Sequence, residues 1–577
     1  MKTSKKHIIL FFLLSILLFP TSCGNDFLDR QPLDGRTREG FFRTEAEVLM
    51  SLNATYWRLR SPVIGGMGNG NASSVDIEAL TDNAWTGSGG HGFNVMAQGN
   101  HTAANPQTAG TMWTHCWQGI SNCNFFLDNL ARPEVRGLLD EATYRRFRGE
   151  ALFLRSFYYH LLLEHFGDIP WVDTWVTADM PFFGMPRLPK AQVVGYILRD
   201  LEEAINLLPL PAAGFTDGRA IQSSAIMLKV RVLMANHRFQ EAITTARRLI
   251  NNPANPHRIV DCFEGIFFGN QRNNREIIFG VLYNGGEIDL HSFDFFTATR
   301  QSNYPLANLA AAFGTRADGT PDPRLRFTMF IVGDPWTMNT IGGNNPAPGT
   351  VGTFTYPPPY ELGTFTFAHG QFPAGHRVLG PGPAPGQYEF GPTPINADGS
   401  VPPSNLSWRK GVNPAGVDLR NNRSTQDRVL MRYADLLLLY AEAHVEVGGG
   451  TTTDAGALAA FNAVRTRPSV GMPTETMLTR EMVRNERRVE LAYEGIRLYD
   501  ILRWDIGHEV VTTVFDADGW VISGKSNSLS RTRVLANARR AGSNGVVVTP
   551  AVWRGNLWPI PLGVMELMPH WEQNYPF

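Results

Sequence analysis

The stretch "NERRVELAYEGIRLYDILRW", residues 485–504, decides the fold. Within it Glu486, Glu490 and Glu494 recur at the spacing that aligns side chains along one stripe of an α-helix, with Arg487, Arg488 and Arg497 alongside. Paired carboxylates serve as the acid and base of a glycosidase. That work requires one carboxyl with a raised pKa, whereas so many guanidinium groups keep carboxylates ionised. The stripe therefore reads as a structural ion-pair network pinning helices together, with Arg432, Asp435 and Glu442 of the preceding helical segment as further partners.

Outward from this stretch, "RYADLLLLYAEA" (432–443) and "GALAAFNAVRTR" (456–467) form a pair of apolar segments with helical period. "SSAIMLKVRVLMANHRFQEAITTARRLI" (223–250) predicts another antiparallel pair, turning around residues 235–238, with Ala225, Ala242 and Ala246 where helices approach closely. Such pairs are similar to tetratricopeptide units, which stack into partner-binding scaffolds. "RFRGEALFLRSFYYHLLLEHFGDIPWV" (146–172) opens with a helix stopped at Gly167, and "VVGYILRDLEEAINLLP" (193–209) is an amphipathic helix ended by Pro209. Helical periodicity thus spans about 43–251 and about 428–506. The region between, about 255–427, holds "GGNNPAPGTVGTFTYPPPYELGTFTF" and "GPGPAPGQYEFGPTP". Its Gly and Pro content excludes long helices and predicts an irregular, loop-rich subdomain with a few short strands. The fold class is mainly α.

A hydrophobic content of 43% is that of a globular chain, and a net charge of −1 leaves no electrostatic footprint for nucleic acid. No HExxH, GxSxG, Walker loop or CxxC occurs, no acidic cluster suggests calcium, and no cofactor or metal is expected. Cys116 and Cys123 lie seven residues apart in a predicted helix, roughly 10 Å along its axis and beyond disulfide reach. With Cys262 they are expected as buried free thiols.

The N-terminus places Lys2, Lys5 and Lys6 before an apolar run that ends in "FPTSCGND" (19–26). A basic head, a short apolar middle and small residues before a cut describe a secretory signal over residues 1–22. The run is too short to span a bilayer, which takes about 20 apolar residues. Cys23 directly after Pro20-Thr21-Ser22 resembles a bacterial lipobox, where the thiol is diacylated, although Pro20 stands where Leu is usual. The alternative is an ordinary signal peptide with a stray cysteine.

Taken with "FLDRQPLDG" (27–35), "WTHCWQGISNCNFFLDNL" (113–130), "FLRSFYYHLLLEHFGDIPWV" (153–172), "YILRDLEEAINLLP" (196–209), "DPRLR" (322–326) and the terminal "NLWPIPLGVMELMPHWEQNYPF" (556–577), the chain resembles the SusD/RagB family of outer-membrane nutrient-binding lipoproteins. The motifs occur in the family's order over the mature chain, 23–577, with 507–577 as its C-terminal segment. The resemblance implies a helical scaffold with tetratricopeptide-like pairs, lipid anchoring on the outer membrane facing the exterior, and a variable region that recognises an oligosaccharide or, in some branches, a peptide. It implies a SusC-like TonB-dependent transporter as partner and no catalysis.

A glycan site sets aromatic faces against sugar C–H surfaces and polar groups against hydroxyls. "DIEALTDNAWTGSGGHGFN" (76–94) offers Trp85 in a Gly-rich loop with Asp82 and Asn83 nearby, and the family's corresponding loop frequently supplies an aromatic platform. Further candidates are Tyr304, Trp336, Tyr356, Tyr360 and Tyr388 in the central region, while Trp57, Trp113, Trp117, Trp504 and Trp558 are expected in the core. Three alternatives remain open. Peptide capture would use a groove offering backbone hydrogen bonds. A glycoside hydrolase would draw its acids from Glu78, Asp82 or Glu361. A purely protein-binding scaffold would have no small ligand. The lipobox reading predicts that the N-terminal peptide of the membrane-extracted protein begins at Cys23 and carries a diacylglyceryl mass, and that Cys23→Ala moves the protein to the soluble fraction.

Overall fold

The computed structural model describes residues 41–66, 74–86, 92–177, 182–210, 217–267, 274–283, 303–331, 427–512 and 552–577, with short pieces at 350–354, 365–369, 406–408, 410–411, 514–515, 520–523 and 532–533. The signal and lipobox region with Cys23, and the aromatics Trp336, Tyr356, Tyr360 and Tyr388, lie outside these residues, as does Glu361.

The principal helices are α1 (Glu45–Tyr56), α2 (Thr108–Leu130), α3 (Glu141–Phe166), α4 (Lys190–Leu207), α5 (Gln222–Ala235), α6 (Phe239–Ile250), α7 (Tyr433–Val447), α8 (Ala455–Arg465), α9 (Arg480–Leu491) and α10 (Arg497–Trp504). Their ends follow local chemistry. The Asp140 carboxylate caps α3 by accepting from the Thr143 N–H at 2.7 Å, and Gly167 ends it at φ +69°. Thr479 caps α9 through the Met482 N–H.

Packing proceeds pairwise along the chain, α2 on α3, α3 on α4, α5 on α6 and α7 on α8, with α6 laid against α7. A Cβ on Gly119 of α2 would fall 2.6 Å from the Tyr158 ring of α3, so only glycine allows this approach. Ala225, Ala242 and Ala246 are buried, as the close helix contact of a tetratricopeptide-like pair requires. Strands are short: β1 (Ala84–Thr86), β2 (Ile277–Val281), β3 (Asn303–Pro305), β4 (Met329–Ile331), β5 (Thr350–Phe354), β6 (Phe365–His369), β7 (Leu406–Trp408) and β8 (Arg428–Arg432). They pair antiparallel as β1–β3, β2–β8, β4–β7 and β5–β6. The mainly α fold with a few short strands is therefore observed.

The charged stripe is an interior network. Arg432 donates to Glu276 at 2.8 Å and to Glu490 and Glu494 at 2.7 Å. Arg467 joins Glu276 to Glu490, and Arg324 joins Asp322, Glu486 and Glu490. Lys410 reaches Glu494 at 2.6 Å and the Glu490 and Ala492 carbonyls at 2.9 Å. Glu490, Arg324 and Glu276 are fully buried. A second cluster joins Arg487 to Asp435 and Asp500, and Arg503 to Glu442 and Asp500.

Three details depart from expectation. Helix α9 stops at Leu491, so Glu494 enters the network from the turn beyond it. Trp57 is 61% exposed, because it sits in the 3-10 turn that ends α1, where the helical face no longer governs its direction. Cys262 is partly exposed, whereas Cys116 and Cys123 are buried thiols whose pKa burial drives upward. Among the described residues no helix is long and apolar enough to cross a membrane.

Burial alone would raise the Glu490 carboxyl, but Arg467, Arg432 and Arg324 overcome it and hold it far below the usual range of about 4.5. Its stabilising contribution is therefore complete above pH 4.5 and is lost as pH falls towards the native value. Glu490→Gln should cost about 3–5 kcal/mol in urea unfolding at pH 7. The gap between variant and wild type should narrow below pH 4.

Candidate functional site

Residues 74–86 build the local frame. The 3-10 turn Ser74–Leu80 is wholly buried, and Thr81 closes it by donating its hydroxyl to the Glu78 carbonyl at 2.8 Å. The Asn83 N–H then donates to the Thr81 hydroxyl at 3.1 Å, a local side-chain turn that hands the chain into β1. Across the ladder Ala84 faces Pro305, Trp85 faces Tyr304 and Thr86 faces Asn303. The Leu306 N–H extends the pairing to the Asn83 carbonyl at 2.9 Å. Two aromatic positions selected from distant parts of the sequence are thus direct backbone partners.

Asp82 and Asn83 occupy a different place from the one expected of ligand-facing residues. Asp82 is 2% exposed, and Arg497 holds it with two donors, Nε to Oδ1 at 2.8 Å and Nη2 to Oδ2 at 2.9 Å. Arg488 approaches the same carboxylate at 3.1 Å. Burial would raise the Asp82 carboxyl, yet Arg488 and Arg497 bring it down to about 2. Asn83 is fully buried; its Oδ1 accepts from Arg488 Nε at 2.9 Å and its Nδ2 donates to Glu78 Oε2 at 3.0 Å. Their polarity is spent inward, on arginines more than 400 residues away in the chain.

The same geometry bears on hydrolysis. Burial pushes the Glu78 carboxyl up to about 7, against hydrogen bonds from Asn83 and the Gly495 N–H. A raised pKa suits a general acid, but Glu78 is fully buried and its neighbour Asp82 is neutralised by two guanidinium groups, so neither meets a substrate in this arrangement. A cavity of about 80 Å³ borders the turn, with Ser74, Ile77, His160, Glu164, Arg231 and Tyr499 in its wall. Arg231 is paired with Asp435 and Glu164 with Lys190. Burial keeps His160 neutral, its pKa lowered to about 3. Among the described residues no group of three or more His, Cys, Asp and Glu side chains is placed to hold a metal ion.

The sequence points to Trp85 and Tyr304 but not to the function of Arg488 and Arg497, which hold the strand that carries Trp85. Only their helical spacing marks them, as members of the charged stripe.

Two family models match in separate parts of the chain. One described as the SusD family covers residues 314–577, and one described as starch-binding associating with outer membrane covers residues 26–232. A SusD-like protein P2 of Formosa agariphila is 24% identical over 521 residues, covering 88% of this chain and 92% of that protein. A crystal structure of a SusD-like carbohydrate binding protein from Bacteroides fragilis superposes with a TM-score of 0.69 at 22% identity, over 92% of this chain and all of the other. A laminarin binding SusD-like protein gives 0.61 at 20% identity, over 93% of this chain and all of the other.

Removing the carboxylate beneath β1 leaves the buried Arg497 guanidinium and the partly buried Arg488 guanidinium short of a partner. Asp82→Asn should therefore lower stability at pH 7 by about 3–5 kcal/mol in a denaturant titration. A change under 1 kcal/mol would mean that the pair contributes nothing to holding the strand.

Proposed function

Because this chain belongs to the SusD/RagB family, we propose that it is a cell-surface glycan-binding lipoprotein. It captures an oligosaccharide and delivers it to a SusC-like TonB-dependent transporter in the same outer membrane. Acyl chains on Cys23 hold it there, facing the exterior, and it performs no chemistry. The observation that carries this reading is the register of β1 on β3, in which Trp85 lies opposite Tyr304. Two aromatic positions meeting on one short ladder match the apolar half of what a sugar ring needs, a flat platform for its C–H face. The carbohydrate and laminarin binding named for the two structural relatives supports the same ligand class. Trp336, Tyr356, Tyr360 and Tyr388 are further contacts in this proposal. The paired helices α5–α6 and α7–α8 supply a rigid scaffold of the kind that docks a protein partner.

The test is affinity electrophoresis and calorimetry of the soluble chain from Gly24 onward against laminarin, starch and other polysaccharides, with Trp85→Ala alongside. One polysaccharide should retard the protein, and Trp85→Ala should weaken binding at least about tenfold, roughly 1.4 kcal/mol, with unchanged unfolding. Binding that survives the substitution would move the site to the central region. Release of reducing ends would make the protein a hydrolase, and binding to peptides alone would replace the glycan with a peptide ligand.

A further inference from the structure

The ladder β1–β3 is too small to hold itself. Each strand has three residues, and Pro305 lacks an N–H to contribute. An isolated two-stranded pair of that length is not stable in water. Its rigidity must come from outside, and the hydrogen bonds around Asn83 show from where. Every polar group of Asn83 is engaged: Oδ1 accepts from Arg488 Nε, Nδ2 donates to Glu78, the N–H donates to Thr81 and the carbonyl accepts from Leu306 at the far end of β3. Arg488 uses the second arm of its fork on the Asp82 carbonyl at 2.9 Å, so one guanidinium grips both a backbone and a side-chain oxygen of consecutive residues. Arg497 grips the Asp82 carboxylate with another fork. The strand is thereby bolted at its entry to α9 and α10, the helices that also carry the buried network.

We propose that Arg488 and Arg497, acting through Asp82 and Asn83, are positioning residues for the glycan-binding ladder, holding β1 and β3 in their bound arrangement before ligand arrives. The inference rests on the glycan site proposed at Trp85 and Tyr304. Preformed geometry removes an ordering cost from binding, so loss of the clamp reaches affinity without removing any group that touches sugar. The planar fork is essential: a lysine keeps the charge, but its donors share one nitrogen and do not reproduce the fixed, separated N–H pair that meets the Asp82 carbonyl and Asn83 Oδ1 together.

Arg488→Met and Arg488→Lys test this in the soluble mature chain, with Asn83→Ser as a second route should the first variant fail to fold. Hydrogen exchange supplies a readout that needs no ligand. In Arg488→Met, amides of residues 84–86 and of Asn303 and Tyr304 should exchange at least about tenfold faster while those of α3 keep wild-type protection. Unchanged ladder protection overturns the clamp whatever the ligand. The second readout is affinity for the polysaccharide that retards the wild-type protein. Arg488→Met should weaken it about tenfold, Arg488→Lys should not restore it, and adding Arg488→Met to Trp85→Ala should cost nothing more. Full additivity, or rescue by lysine, overturns the positioning role. Absence of glycan binding by the wild type sinks the site reading, and the exchange result still judges the clamp by itself.

Discussion

The structure depends on carboxylates and guanidinium groups paired away from water. Glu490 is the centre: it is fully buried and shared by Arg324, Arg432 and Arg467, each of which reaches a further acid. A lone charge in such a place would be expelled or neutralised. Here each charge is acceptable only because the others are present, so the network forms as a unit. Its members come from Glu276 just before β2, β8, the start of the short helix Arg324–Thr328, Arg467 just past α8, α9 and Lys410, and their convergence fixes how the helical layers meet the irregular region.

Helix α9 distributes that rigidity in three directions. Glu486 and Glu490 face the central network, Arg487 faces Asp435 and Asp500, and Arg488 faces Asp82 and Asn83. Successive residues on a helix point about 100° apart, which lets neighbours in sequence serve different clusters. Buried ion pairs are a costly way to add stability, since apolar packing of equal volume often does as well. They specify register, because a shifted helix would leave charges unpaired rather than merely looser contacts.

Much of the fold was legible because helices declare themselves locally. The pair α5–α6 turns within residues 235–238 as its spacing predicts, and the Glu486–Glu490 stripe reads correctly as structural. What local pattern cannot reveal is a partner hundreds of residues away. Asp82 and Asn83 stand before a Gly-rich loop, the composition of an exposed binding turn, yet distant arginines draw both inward. Trp57 follows a helical segment and reads as core, but the helix has tightened to a 3-10 turn by then and the side chain points to solvent. Trp85 and Tyr304 were each legible as aromatics in irregular sequence, whereas their opposition required the register of a ladder joining strands over 200 residues apart.

In the proposed site, the groups that would touch ligand are separate from the groups that hold the strand. In residues 82–85 the two duties fall on adjacent positions: Asp82 and Asn83 face inward to arginines, and Trp85 stands two residues later on a strand already held. In that proposal, replacing the residue at 85 would change the platform and leave the hydrogen bonds of Asp82 and Asn83 to Arg497 and Arg488 in place. Replacing those at 82 or 83 would remove hydrogen bonds that tie the strand to α9 and α10.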